Sequence, residues 1–277
     1  MHTRRHSVRV LTAALVGMLV AVILAGAVQG AVRPAVGSRA AASGPLDLVW
    51  ISDSVGWGVA KFYGSRIEQD LGVGVRVHDK WEAGLPAATI LERLRTPGHP
   101  WIGLIRNAEV IVVSGNHQGL YTGKGGNCVN TGCQRPITYG PKTWQQYIAG
   151  LKGIYRRIFE IRHGRPVILR TNNYYVPTIA HAPKSLFYPP VSWKQCGLVG
   201  VCTKCMESFA WAISRAAAAY RVPVADVYTA FNGKSHREDP VDKGYIDKDG
   251  IHQNDAGRAV FAETLAALGY EEVTPRG

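Results

Sequence analysis

The sequence predicts an α/β fold built on a mostly parallel sheet with helices packed against it, on three observations. From Leu46 onward, short apolar runs alternate with longer amphipathic stretches, the rhythm of strand and crossover helix. Several of the runs are continuous and β-branched, Val110-Ile111-Val112-Val113 most clearly, as a strand covered on both faces requires. Finally, 277 residues with 46% hydrophobic and 19% charged content suit one sizeable core and are too few for two large domains.

The chain opens with Arg4, Arg5 and Arg9, then an uncharged run from Val10 to Val28, with small residues at Gly26, Ala27, Gly30 and Ala31. This is the pattern of an export signal. The run also approaches the roughly 20 residues that span a bilayer, so residues 1–31 read as a cleaved signal peptide or a retained membrane anchor. Either way the basic flank stays inside and the rest of the chain is expected outside the cytoplasm, secreted or held at the outer face of the membrane. Residues 32–45 are small, polar or proline, without an apolar period, and read as a flexible linker. The domain proper is expected over residues 46–277.

Five strands are predicted there, at Leu46 to Ile51, Val73 to His78, Glu109 to Val113, Pro166 to Arg170 and Pro223 to Val227. Amphipathic stretches at Gly56 to Leu71, Pro86 to Leu94, Thr143 to Ile161, Lys204 to Tyr220 and Asp255 to Leu268 supply the crossover helices, with Asp255 as the natural cap of the last. Residues 117–141 and 172–202 break the rhythm. They are rich in Gly, Asn, Pro and Tyr, and loops this long in a small domain are usually functional or disordered. The aromatic stretches Asn172 to Pro177 and Leu186 to Pro190 either line a pocket or fill the packing of these loops.

Of the five cysteines, at 128, 133, 196, 202 and 205, the first four fall in those two intervals and Cys205 lies just beyond the second. In an oxidising compartment they favour disulfides, Cys128 with Cys133 and Cys196 with Cys202 or Cys205. A zinc site on Cys202-x-x-Cys205 is the rival, but no histidine pair at ligand spacing accompanies it. The formal charge is +12, of which the three N-terminal arginines account for three, leaving +9 on residues 31–277. A basic exterior suits anionic envelope polymers or lipid head groups, or simply solubility. Lys and Arg are scattered with no run of five like charges, so a nucleic-acid partner is not expected. A monomer is the expectation.

Two short segments carry chemistry. Ile51-Ser52-Asp53-Ser54-Val55-Gly56-Trp57-Gly58 puts Ser54 where a strand gives way to a helix, so its Oγ stands at the carboxyl edge of the sheet beside unpaired first-turn amides. The plainer reading is a serine that only caps the helix. Asp249-Gly-Ile-His252 places a carboxylate three residues before a histidine, in a turn ahead of the last helix. A serine hydroxyl needs an imidazole to take its proton and a carboxylate to hold the imidazole's tautomer, and one rigid turn can supply both. A solvated surface turn is the alternative. Two further pieces offer hydrogen-bond donors at the same edge: the side-chain amide of Asn116 in Val113-Ser114-Gly115-Asn116-His117, and the backbone N–H of Gly84 in Glu82-Ala83-Gly84-Leu85-Pro86.

With these four blocks in order, the chain resembles the SGNH (GDSL-like) hydrolase superfamily, whose blocks carry Ser, Gly, Asn and His. Here they read Ser52-Asp53-Ser54, Ala83-Gly84, Gly115-Asn116 and Asp249-Gly-Ile-His252, and the resemblance runs from about Leu46 to Leu268. It implies a three-layer, flavodoxin-like α/β/α sandwich with a five-stranded sheet. It also implies a metal-free, cofactor-free acyl-enzyme mechanism on small or polymeric esters of lipid, carbohydrate or other acids. Catalytic Ser54, Asp249 and His252 would be served by an oxyanion hole from the amides of Ser54 and Gly84 and the side chain of Asn116. The sequence departs from the pattern at Ser52 and Ser114, where glycines are usual, at Glu82, where asparagine is frequent, and at His117, where aspartate is frequent. His117 is an alternative base, but it has no carboxylate partner nearby in sequence.

Other hydrolase classes fit less well, since the chain has no Gly-x-Ser-x-Gly elbow, no His-Glu-x-x-His and no paired-carboxylate cluster. Within the resemblance, four readings stay open: a broad esterase or lipase, a polysaccharide O-acetyl esterase, an acyltransferase, and a secreted binding protein with a dead site.

Overall fold

The computed structural model describes residues 44–115, 141–177 and 199–274, without the side chains of 141–143 and 199–205. The N-terminal signal or anchor, nearly all of the linker, Asn116, His117, the five cysteine side chains and Leu186 to Pro190 lie outside the described residues.

Five strands form one sheet in the order β2-β1-β3-β4-β5, every neighbouring pair parallel. They are β1 (Leu46–Ser52), β2 (Val75–Trp81), β3 (Val110–Val113), β4 (Ile168–Asn172) and β5 (Val224–Ala225). Side chains alternate across each strand, and both faces are apolar. Leu48, Trp50, Val110 and Val112 point to one side, where Val59, Tyr63 and Ile67 of helix α1 (Val59–Leu71), Phe231 of α6 (Val227–Asn232), and Phe261 and Leu265 of α7 (Asp255–Ala266) cover them. Val49, Ile51, Ile111 and Val113 point to the other, against Ile90 and Leu94 of α2 (Ala87–Arg95), Ile105 of α3 (Pro100–Asn107), Ile154 of α4 (Pro141–Ile161) and Phe209 of α5 (Val199–Ala218). The result is the three-layer sandwich. Trp50 anchors the first layer, fully buried with Tyr63 and Phe261 edge-on at 6.4 and 6.2 Å. Its truncation to alanine should cost about 3–5 kcal/mol.

The chain leaves β1 for β2 on one side and returns for β3 on the other, so the order reverses at β1. Ligands of open α/β sheets sit outside the carboxyl ends of the strands at such a switch. The segment leaving β1 there is the one that carries Ser54.

Several boundaries differ from the sequence reading, each for a local reason. Strand β2 begins later and runs to Trp81, because as an edge strand it tolerates the charged Arg76, Asp79 and Lys80 that mask its apolar period. Helix α3 was not expected; His99 caps it by accepting from the Trp101 amide, and Pro100 occupies its first turn, where a missing N–H costs nothing. Strand β5 stops at Ala225 rather than Val227, since the Asp226 side chain accepts from the Thr229 amide and starts α6. Helix α5 begins at Val199, so the backbone of Cys202 and Cys205 is helical and not in a loop. The cap of α7 is Asn254, whose side chain accepts from the Gly257 amide; Asp255 is the first helical residue and pairs with Arg258 at 2.7 Å. Of the two aromatic stretches, Asn172 to Pro177 is packing: Tyr174 stacks on Phe209 at 4.7 Å and Tyr175 on Phe231 at 4.3 Å, both tyrosines buried.

Candidate active site

At the end of β1 the backbone is locked before it reaches Ser54. The Ser52 hydroxyl accepts from the Trp50 indole (2.8 Å) and donates to the Asp53 carbonyl (2.9 Å), so this serine, where the resembling family has glycine, is fully used in holding the turn. Buried Asp53 then caps a single 3-10 turn over Ser54–Gly56, its Oδ1 accepting from the Val55 amide at 3.1 Å. Capping therefore falls to Asp53, and Ser54 Oγ makes no hydrogen bond with any described residue.

Asp249 and His252 share a turn closed by an antiparallel bridge between Ile246 and Gln253 and by the Asp247 amide donating to the His252 carbonyl at 2.8 Å. One carboxylate oxygen of Asp249 accepts from the amides of Ile251 and His252, both at 2.9 Å, and the other bonds the His252 ring at Nδ1. Burial pushes the Asp249 carboxyl up, but these three bonds and the neighbouring imidazole outweigh it and hold the group below the ordinary carboxylate range. With Nδ1 committed to Asp249, Nε2 is buried and without a hydrogen-bond partner among the described residues.

Gln253 joins the two turns. It is fully buried; its amide nitrogen donates to the carbonyls of Val55 (2.6 Å) and Trp57 (3.4 Å), and its oxygen accepts from the Tyr175 hydroxyl at 2.8 Å. The residue after His252 is thus bonded to the residue after Ser54. The Tyr175 hydroxyl also lies 2.9 Å from the Ile251 carbonyl, bracing the histidine turn from behind.

Gly84 sits in the turn after β2 with φ of 64°, a left-handed conformation that frees glycine alone from penalty. Strand register pairs Trp81 with Ser52, which sets this turn beside the one bearing Ser54. Glu82 is engaged elsewhere: its amide donates to the Ser52 carbonyl at 3.0 Å and its carboxylate pairs with Arg93 of α2. Gly115, next to Asn116, packs against the first turn of α2 so closely that an added Cβ would lie 2.7 Å from Ala87 Cα. The Tyr147 hydroxyl donates to the Gly115 carbonyl at 2.6 Å, fixing the chain where it leaves for Asn116.

Trp57 borders the histidine, and Trp81 borders Trp57. The Trp57 ring lies 6.1 Å from the His252 ring, nearly perpendicular to it, and 5.7 Å from Trp81; the two indoles are 41% and 37% exposed. The Arg258 guanidinium lies over Trp57 at 4.9 Å. Neither the tryptophan pair nor Gln253 is marked by any motif; the faint signal was Gln253 directly after His252 and Trp57 three residues after Ser54.

No family profile and no curated protein matches the sequence. Among solved structures, a lipase from a goat rumen metagenome superposes with a TM-score of 0.58 at 20% identity, covering 81% of this chain and 98% of its own. An alpha/beta hydrolase enzyme from the metagenome of Lake Arreo, Spain, gives 0.52 at 15%, covering 81% and 94%. The chain has the SGNH hydrolase fold. A variant of an acetyl xylan esterase from Geobacillus stearothermophilus aligns over 82% of this chain and 97% of its own, with a TM-score of 0.50 at 13% identity. At these identities the likeness is one of fold. Within the SGNH hydrolase fold, the residues of the first and last blocks here occupy two turns tied to each other through Gln253.

Proposed function

We propose that the chain is a serine hydrolase of carboxylic esters, exported by its N-terminal segment. His252 Nε2 takes the proton of Ser54 Oγ as the oxygen attacks the ester carbonyl. The tetrahedral intermediate collapses, the alcohol leaves with that proton, and water attacks the acyl-enzyme with His252 again as base. Asp249 stays ionised, holds Nδ1 and stabilises the imidazolium that forms. The amides of Ser54 and Gly84 and the Asn116 side chain are assigned to the oxyanion, each donor typically worth about 3–4 kcal/mol of barrier.

One observation carries this reading: a buried imidazole nitrogen with no partner among the described residues, on a ring whose other nitrogen is held by a carboxylate, in a turn bonded to the turn of Ser54. Leaving such a nitrogen unpaired is costly unless something is meant to meet it. The esterase and lipase activities of proteins sharing the fold agree with it. A fluorophosphonate probe should label Ser54 in the wild type, and Ser54→Ala should abolish both labelling and ester turnover while keeping the wild-type circular dichroism spectrum. Wild-type turnover by the variant would end the proposal.

A further inference from the structure

The Trp57–Trp81 pair leaves two indoles each more than a third exposed, and its Trp57 ring lies against His252. We infer that this pair is a shelf for the alcohol half of the ester, and that the alcohol is a hydroxyl of a sugar ring, which makes the substrate an acylated carbohydrate. The inference rests on the hydrolase reading above.

The side of the site follows from the chemistry. The imidazole that accepts the Ser54 proton delivers it to the departing alkoxide, so the alcohol must lie within hydrogen-bond reach of His252 Nε2 as it leaves. The acyl group stays on Ser54. A surface in contact with the histidine ring therefore meets the leaving group rather than the acyl chain, and Trp57 is such a surface, 6.1 Å from that ring.

The kind of alcohol follows from the shape. The shelf is preformed: Arg258 lies over Trp57, bonds its carbonyl at 3.3 Å and is itself held by Asp255 at 2.7 Å. Trp81 ends β2, the edge strand, and among the described residues no further strand lies beyond it. Among the described residues the surface is thus two exposed indole planes, inclined by 42° to each other, rather than an enclosing channel. A pyranose lays its C–H face on such a plane and keeps its hydroxyls in water. Glycerol and alkyl alcohols offer no comparable plane.

The test holds the acyl group constant and varies the alcohol. Wild type, Trp81→Ala and Trp81→Phe are assayed on an acetylated xylo-oligosaccharide and on triacetin. Trp81→Ala should raise KM for the sugar ester roughly tenfold, the size of a lost stacking contact, and raise it for triacetin by a clearly smaller factor; Trp81→Phe should recover most of the loss. Equal factors on the two esters, or an effect confined to kcat, would overturn the shelf. A binding arm does not depend on which acyl group is cleaved: Ser54→Ala should bind the acetylated oligosaccharide, and Ser54→Ala with Trp81→Ala should bind it about tenfold more weakly. Equal binding by the two, or none by either, would also overturn it. Fluorophosphonate labelling of the wild type separates the two readings, since failure to label Ser54 removes the hydrolase itself, whereas labelling together with equal factors removes the shelf alone.

Discussion

The roles proposed for Ser54, His252 and Asp249 predict unequal losses. The pair that makes and breaks bonds acts as a unit, so Ser54→Ala or His252→Ala should each lower kcat on the order of a millionfold. Asp249→Asn should cost less, roughly ten-thousandfold, since it spoils the tautomer and leaves the other two groups in place. Steady-state rates of purified variants on one ester check the order. Asp249 also predicts an acid-side effect on stability. A carboxyl with a folded pKa below its unfolded value of about 3.9 stabilises the fold fully above that value and gives this up as pH falls through the lower folded one. The depressed pKa of Asp249 puts it in that class. Thermal melts should therefore show the wild type losing more Tm between pH 6 and pH 3 than Asp249→Asn.

Among the elements, the bond between the serine turn and the histidine turn matters most. Gln253→Leu strips the Val55 carbonyl of its side-chain donor, while the Tyr175 hydroxyl keeps the Ile251 carbonyl as acceptor, which should cost about 1–3 kcal/mol of stability for the carbonyl left unpaired. The rate should suffer more than the stability, by roughly a hundredfold in kcat, because small displacements of reacting groups are expensive. A kcat within twofold of wild type, read beside the melting temperature, would show that the turns hold their places without it. Most elements were legible from the sequence, as were the two turns carrying Ser54 and Asp249-x-x-His252, because strand and helix periods and Gly, Pro and Asx signals are local. Gln253 was not, since its partners lie 198 and 78 residues away and a glutamine carries no periodic signature. Helix α3 and the shortened β5 were missed for a related reason: both are set by caps, at His99 and Asp226, which outweigh the apolar runs around them.

On the scale of the molecule, the C-terminal segment closes the sandwich. Val273 bridges to Val167, and the buried Arg170 guanidinium donates to the carbonyls of Gly269 (2.8 Å) and Glu271 (3.1 Å). Arg170→Ala strands those carbonyls and opens a void beside Tyr63, so it should lower stability by about 3–5 kcal/mol and Tm by roughly 10 °C in a scanning melt. The layer order and the placement of Ser54 at the carboxyl edge of the sheet could be read from the strand sequence and the four blocks together; the reversal of strand order at β1 could not. A buried arginine in a strand could not, because two of its carbonyl acceptors, Gly269 and Glu271, come only with the return of residues 268–274.

The fit of Gly115 against Ala87 has a mechanical consequence. The stretch entering Asn116 and the helix following Gly84 share one point of contact with no slack, so the two walls assigned to the oxyanion are geared to each other, and displacing one drags its opposite. Refashioning this pocket for a bulkier substrate by remodelling either wall must leave position 115 bare, or lose the alignment of both at a stroke.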